Sequence, residues 1–127
     1  MRPILIVAVL GLLLTGCAAT GGPGEALVLG PRDHDTVIRA AAGQLLEIRL
    51  PAAGGDGPRW DIDRVDTNTL AQIGTARFEP AAAGTGGTMI FRFRAARPGN
   101  GLVRLVYRQP WQQAISGDTF LAVIQVR

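Results

Sequence analysis

Apolar and polar residues alternate along several short segments, and this alternation constrains the fold of the chain more than any other feature. In residues 44–50 (QLLEIRL), Leu46, Ile48 and Leu50 fall on one side of an extended backbone. A period of two is typical of a β-strand with one buried face. The pattern recurs with inward sets that we assign as Trp60 and Ile62; Met89, Phe91, Phe93 and Ala95 (opposite Ile90, Arg92 and Arg94); Val103, Leu105 and Tyr107; and Phe120, Ala122, Ile124 and Val126.

Breaks rich in Gly and Pro separate these segments, in a chain of 127 residues with 17 Gly and 8 Pro. No apolar stripe of helical period lasts for three turns, and weaker strand patterns cover residues 26–30, 36–40 and part of 70–78. Seven or eight short strands at this spacing predict an all-β fold. We expect one antiparallel β-sandwich with Greek-key connections.

The N-terminal segment has the pattern of a secretion signal. One Arg precedes an apolar run from Ile4 to Leu14, which is too short to span a bilayer as a helix. The run ends in Leu-Thr-Gly-Cys17, which resembles the lipobox of bacterial lipoproteins, and Cys17 is the only cysteine. We therefore expect a lipoprotein signal peptide (1–16), a lipidated flexible tether (17–24) and one domain (25–127). An ordinary signal peptide followed by a chance Cys is the alternative.

Lipidation of Cys17 predicts a membrane anchor made by acyl chains in the bacterial cell envelope. The residue after Cys17 is Ala18 rather than Asp. By resemblance to lipoprotein sorting, this favours the outer membrane, with the domain facing the periplasm. We expect the domain to be monomeric.

Residues that carry catalysis are sparse, and the sequence predicts that the chain is not an enzyme. His34, the only His, is flanked by Asp33 and Asp35, whose side chains would alternate in direction. This arrangement favours a turn before a strand over a metal site. Arg92 and Arg94 alternate with Phe residues, as on the solvated face of a strand, so nucleic-acid binding is not expected either. No cofactor and no metal are predicted.

Three connections contain residues suited to binding a partner, and the two tryptophans divide between core and surface. Trp60 lies in an alternating strand and is predicted to be buried. Trp111 follows Pro110 between two strands, and a Trp beside a Pro provides a large, rigid contact surface. The Gly-rich stretches at residues 51–58 and 81–88 allow close approach of another backbone.

Together these segments resemble the chagasin-type inhibitors of papain-like cysteine proteases, over residues 25–127. "RLPAAGGDGPRW" aligns with the family's "LPANPTTGYRW", residues 84–87 match its "GxGG", and "YRQPW" resembles its "Y-x-RPW". This chain has Ala-Gly-Gly-Asp-Gly where the family has NPTTG. It has Gln109 in place of the Arg, and Gln112 where an acid often follows.

The resemblance implies an immunoglobulin-like sandwich that inhibits papain-like cysteine proteases reversibly and tightly. Three loops at one end would enter the active-site cleft, with the first loop central and the others against the walls. The protease-binding residues implied are Gly54, Gly55, Asp56, Gly57, Gly84, Thr85, Gly86, Gly87, Gln109, Pro110 and Trp111.

Two other functions fit the sequence. A structural or assembly lipoprotein with an immunoglobulin-like interaction domain would use the loops only as turns, with Trp111 covering the end of the sandwich. A carbohydrate-binding or adhesin module is the other, although two Trp and one Tyr provide few stacking surfaces.

Overall fold

Nine strands and one 3₁₀ turn make up the part of the chain that the computed structural model describes, residues 25–112 and 117–127. The predicted signal peptide, Cys17 and the tether lie outside these described residues. The 3₁₀ turn is Pro31–Asp33. The strands are β1 (Leu27–Leu29), β2 (Thr36–Ala40), β3 (Leu45–Ala52), β4 (Arg59–Val65), β5 (Leu70–Gln72), β6 (Arg77–Pro80), β7 (Gly87–Ala95), β8 (Gly99–Arg108) and β9 (Thr119–Val126).

The strands form two sheets that pack as a sandwich. The first sheet has the order β1-β3-β7, with β5 and β6 end to end along the free edge of β7. The second sheet has the order β2-β9-β8-β4. The predicted all-β sandwich is confirmed. Within the described residues, no helix is long and apolar enough to cross a membrane.

The structure differs from the prediction in strand number and in two pairings. The segment 70–78, expected to contain one strand, gives both β5 and the start of β6, so the described chain has nine strands rather than seven or eight. The pairs β1–β3 and β2–β9 are parallel, and all the others are antiparallel. Alternation did not reveal this, because side chains alternate with a period of two in both kinds of sheet.

The core lies between the sheets and consists mainly of the predicted inward residues, joined by Leu29, Ala40, Ala52 and Leu70. Side chains of the long central strands are almost fully removed from solvent, including Leu46, Ile48, Leu50, Phe91, Phe93, Leu105, Phe120 and Ile124. Trp60 is buried as predicted, while Ile62 and Tyr107 pack partly buried against this cluster. These side chains supply the apolar burial that makes a domain of this size stable.

Ile90 is an exception to the expected solvated face of β7. It is buried although it points outward with Arg92 and Arg94. In the register it lies between Arg49 of β3 and Arg77 of β6. The aliphatic parts of such Arg side chains shield apolar neighbours while the guanidinium groups stay in water.

The segment around His34 is a turn that crosses from one sheet to the other, as the sequence favoured. The Leu121 N–H donates to Nδ1 of His34 at 3.1 Å, and the Asp35 N–H donates to the Leu121 carbonyl at 2.6 Å. His34 therefore holds the crossing segment against β9. No group of metal-ligating side chains occurs among the described residues.

Candidate functional site

Three loops leave the sandwich at one end, which we call the loop pole. Loop 1 (residues 53–58) joins β3 to β4, loop 2 (81–86) joins β6 to β7, and loop 3 (109–118) joins β8 to β9. Ala52 and Pro80 both pair with Gly87, so loops 1 and 2 start side by side. Arg59 pairs with Arg108, which places the end of loop 1 next to the start of loop 3. The register thus brings together the three predicted segments.

Loop 1 is a tight turn with its charge at the tip. The Gly57 N–H donates to the Gly54 carbonyl at 3.1 Å. Gly54 and Gly55 both have positive φ, 76° and 56°, which glycine adopts without a steric penalty. Asp56 is exposed, and it forms no ion pair with any of the described residues.

Two aromatic side chains hold the base of loop 1 from inside the sandwich. The Ala53 N–H donates to the Tyr107 hydroxyl at 2.8 Å, a bond that joins the ends of the two sheets. The Trp60 indole N–H donates to the Pro51 carbonyl at 2.9 Å. The two rings stack with centroids 5.0 Å apart. The sequence placed both rings on the inner face but gave no sign of these hydrogen bonds to loop 1 and to the end of β3.

Loop 2 packs directly on the end of β3. The Ala81 N–H donates to the Gly86 carbonyl at 2.9 Å, which closes the loop. A Cβ atom on Gly86 would lie 3.0 Å from the Ala52 carbonyl oxygen, and one on Gly87 would lie 2.1 Å from the Glu79 carbonyl oxygen. These two glycines therefore allow close packing inside the molecule, whereas the sequence had suggested that they serve contact with a partner. Gly87 is the first residue of β7 rather than part of the loop.

In loop 2, Gly84 and Thr85 lie at the outer end. A Cβ atom on Gly84 would meet nothing within 4 Å, so this part of the loop faces open space. Thr85 is exposed.

Loop 3 begins with a turn that presents Trp111. The Gln112 N–H donates to the Gln109 carbonyl at 3.0 Å, and the Gln112 side-chain oxygen accepts from the Gln109 N–H at 3.2 Å. Pro110 follows the first residue of this turn, a position that suits its fixed φ. Trp111 is 72% exposed. This exposure agrees with a contact role and not with a residue that covers the end of the sandwich.

The loops carry little charge, and all of it is negative. Their sequences contain two charged residues, Asp56 and Asp118, although the whole chain has a net charge of +3. The other described loop residues are glycine, alanine, proline, polar uncharged residues and Trp111. Such a surface can approach a partner closely and bury a large aromatic ring there.

Phe78 is a residue at the loop pole that sequence reasoning did not select. It lies in β6 opposite Met89 and is 37% exposed. The only signal in the sequence was a weak strand pattern in residues 70–78, which predicts no contact with loop 1.

Comparison with known proteins identifies relatives of this chain. The family model "Chagasin family peptidase inhibitor I42" matches residues 39–124. Amoebiasin-1 of Entamoeba histolytica is 28% identical over 97 residues, which cover 75% of this chain and 94% of that protein.

Two solved structures have the same fold. The cysteine protease inhibitor EhICP2 from Entamoeba histolytica superposes with a TM-score of 0.69 at 14% identity, covering 80% of this chain and 95% of that chain. PbICP-C, solved in complex with falcipain-2, gives a TM-score of 0.58 at 15% identity, covering 82% of this chain and 100% of that chain.

Proposed function

The chain belongs to the chagasin family of peptidase inhibitors, and we propose that it inhibits papain-like cysteine proteases reversibly by inserting the loop pole into the active-site cleft. Loop 1 enters nearest the catalytic cysteine, and loops 2 and 3 contact the walls of the cleft. Inhibition is steric, because the loops occupy the place of a substrate. The chain is an inhibitor and not an enzyme.

The observation that carries this proposal is the alignment at one pole of three loops whose described turns are internally braced. Each described loop turn is closed by a hydrogen bond of its own, and loop 1 is also bonded to Tyr107 of the other sheet. A surface that is already ordered loses little conformational entropy on binding. Affinity then depends on the contacts made and not on ordering of the loops.

Trp111 is the proposed anchor of the interface. A Trp that is 72% exposed has most of its apolar surface available to a partner. Buried Trp residues are frequent among the few side chains that dominate binding energy. The exposure also disfavours the structural-lipoprotein interpretation, in which this ring would cover the end of the sandwich.

Titration of the soluble chain (residues 18–127) against papain and a cathepsin-like protease tests this function. We expect stoichiometric loss of activity, recovery of activity on dilution, and an inhibitor that stays uncleaved. Absence of inhibition at micromolar concentrations would instead support an interaction domain without inhibitory activity.

We further propose that Cys17 carries a lipid and anchors the protein in the bacterial envelope, at the outer membrane facing the periplasm. The support is the signal-like sequence of residues 1–17. The Glu25 carbonyl accepts from the Gln44 side chain at 3.2 Å, at the pole opposite the loops. Residues 18–24 span at most about 25 Å when extended. In an anchored protein the tether would therefore join the domain at the end opposite its loops.

Loss of the anchor can be measured directly. Cys17→Ala should abolish incorporation of labelled fatty acid and move the protein from the membrane fraction to the soluble fraction. Unchanged membrane association of this variant would contradict the lipid anchor and would leave the inhibitory function unaffected.

A further inference from the structure

Phe78 lies at the loop pole, and its ring packs between loop 1 and the start of β7, which follows loop 2. Because Phe78 pairs with Met89 in the register, it points to the inner side of the first sheet. The core ends at this level, which leaves the ring 37% exposed.

The tip of the Phe78 ring lies against the backbone of loop 1 and against the first residue of β7, where loop 2 ends. A Cβ atom added to Gly54 in loop 1 would lie 2.6 Å from Phe78 Cζ, and one added to Gly87 at the foot of loop 2 would lie 2.9 Å from the same atom. Real Cβ atoms do not approach carbon this closely. The ring therefore occupies the space that side chains would otherwise take at these positions.

Loop 1 has few other supports on this side. Among the described residues, its own backbone hydrogen bonds are the Gly57–Gly54 turn and the bond from Ala53 to Tyr107, which belongs to the second sheet. Facing the first sheet, a cleft of about 230 Å³ opens beneath the loop, lined by glycines of loop 1 and by Pro58, Phe78 and Met89. Within this cleft, the ring of Phe78 contacts the loop backbone.

We infer that Phe78 is a positioning residue that fixes loop 1 relative to loop 2 and thereby raises the affinity for the protease. This inference rests on the proposed inhibitory function. Without the ring, Gly54 and Gly55 gain freedom, and binding must then order the loop. Binding would then include the entropic cost of ordering loop 1, which wild type does not incur, and inhibition would be weaker.

The test compares Phe78→Ala and Phe78→Leu with wild type, using the full chain purified in detergent. Val28→Ala is the matched control, because Val28 is also an exposed apolar strand residue (60%) but lies in β1, where it pairs with Glu47 near the end of β3 that is opposite loop 1. The measurements are the inhibition constant against papain, hydrogen exchange of residues 53–58, and the thermal midpoint.

We expect Phe78→Ala to raise the inhibition constant roughly tenfold, on the scale of lost preorganisation. Exchange in loop 1 should become faster, while exchange in the central strands stays unchanged. Phe78→Leu should change the inhibition constant and the exchange of loop 1 less than Phe78→Ala does. Val28→Ala should leave both quantities unchanged. Trp111→Ala should cost the same factor in the Phe78→Ala background as in wild type, because the Phe78 ring contacts loop 1, whereas Trp111 lies on loop 3.

Two outcomes would overturn the inference. The first is a folded Phe78→Ala variant with an inhibition constant within twofold of wild type and unchanged exchange in loop 1. The second is faster exchange throughout the domain, in proportion to a lowered thermal midpoint, which would make Phe78 only a core residue. Should wild type fail to inhibit papain, the proposed function fails, and the exchange of loop 1 still decides whether Phe78 positions it.

Discussion

Replacement of Trp111 by Ala should weaken protease binding strongly and leave the fold intact. A Trp side chain has up to about 250 Å² of surface, of which 72% is exposed, so about 180 Å² is available for burial in a complex. At ~25 cal/mol per Å² this corresponds to about 4.5 kcal/mol. Part of it is offset by immobilising the ring, so we expect a net loss of at least about 2 kcal/mol, or roughly 30-fold in the inhibition constant.

The stability of Trp111→Ala should change by less than about 0.5 kcal/mol, because an exposed side chain contributes little to folding. The assay is the inhibition constant against papain, combined with chemical denaturation of the free inhibitor. Val37→Ala is a suitable control, since Val37 is 62% exposed but lies on the outer face of the second sheet. A folded Trp111→Ala variant that inhibits within threefold of wild type would refute the role of Trp111 as the anchor.

Three further predictions concern the supports and the charge of the loops. Tyr107→Phe removes the hydroxyl that accepts from the Ala53 N–H and should lower the free energy of unfolding by about 0.5–1.5 kcal/mol in denaturation experiments. An unchanged value would show that water replaces this bond fully. Gly86→Ala should destabilise the fold by about 1 kcal/mol more than Gly43→Ala. Both glycines have φ near 90°, but only at Gly86 would the added Cβ atom lie 3.0 Å from a carbonyl oxygen. Equal losses of stability would argue against this close contact. Asp56→Asn removes one of the two charges on the loops. With a protease whose cleft is basic, it should reduce the salt dependence of the association rate measured by stopped flow. An unchanged salt dependence would place Asp56 outside the interface.

The inner faces of the strands could be predicted from the sequence because burial imposes a strict period. Leu46, Ile48 and Leu50 are buried as expected, and so is Trp60. Alternation fails at Ile90, where neighbouring Arg side chains cover an outward residue. Glu79 forms ion pairs with Arg49 and Arg77, at 3.0 and 3.1 Å. Such contacts between side chains have no local signal in the sequence.

The loop segments of the candidate site were also visible in the sequence, through composition and through their order between strands. Their supports were not, because the contacts join distant parts of the chain. The Tyr107 hydroxyl accepts from the N–H of Ala53, a residue 54 positions earlier, and the ring of Phe78 in β6 lies against Gly54 of loop 1. Gly86 shows the same limit: its sequence context suggested contact with a partner, whereas in the structure it packs against the end of β3.

The most direct test of the account is a hydrogen-exchange footprint of the inhibitor with and without bound papain. If the loop pole fills the active-site cleft, exchange should slow in residues 53–58, 81–86 and 109–112. Exchange should stay unchanged at the opposite pole, in the turns at residues 41–44 and 96–98. Protection of the opposite pole, or inhibition without protection of the three loops, would contradict the proposed mode of binding.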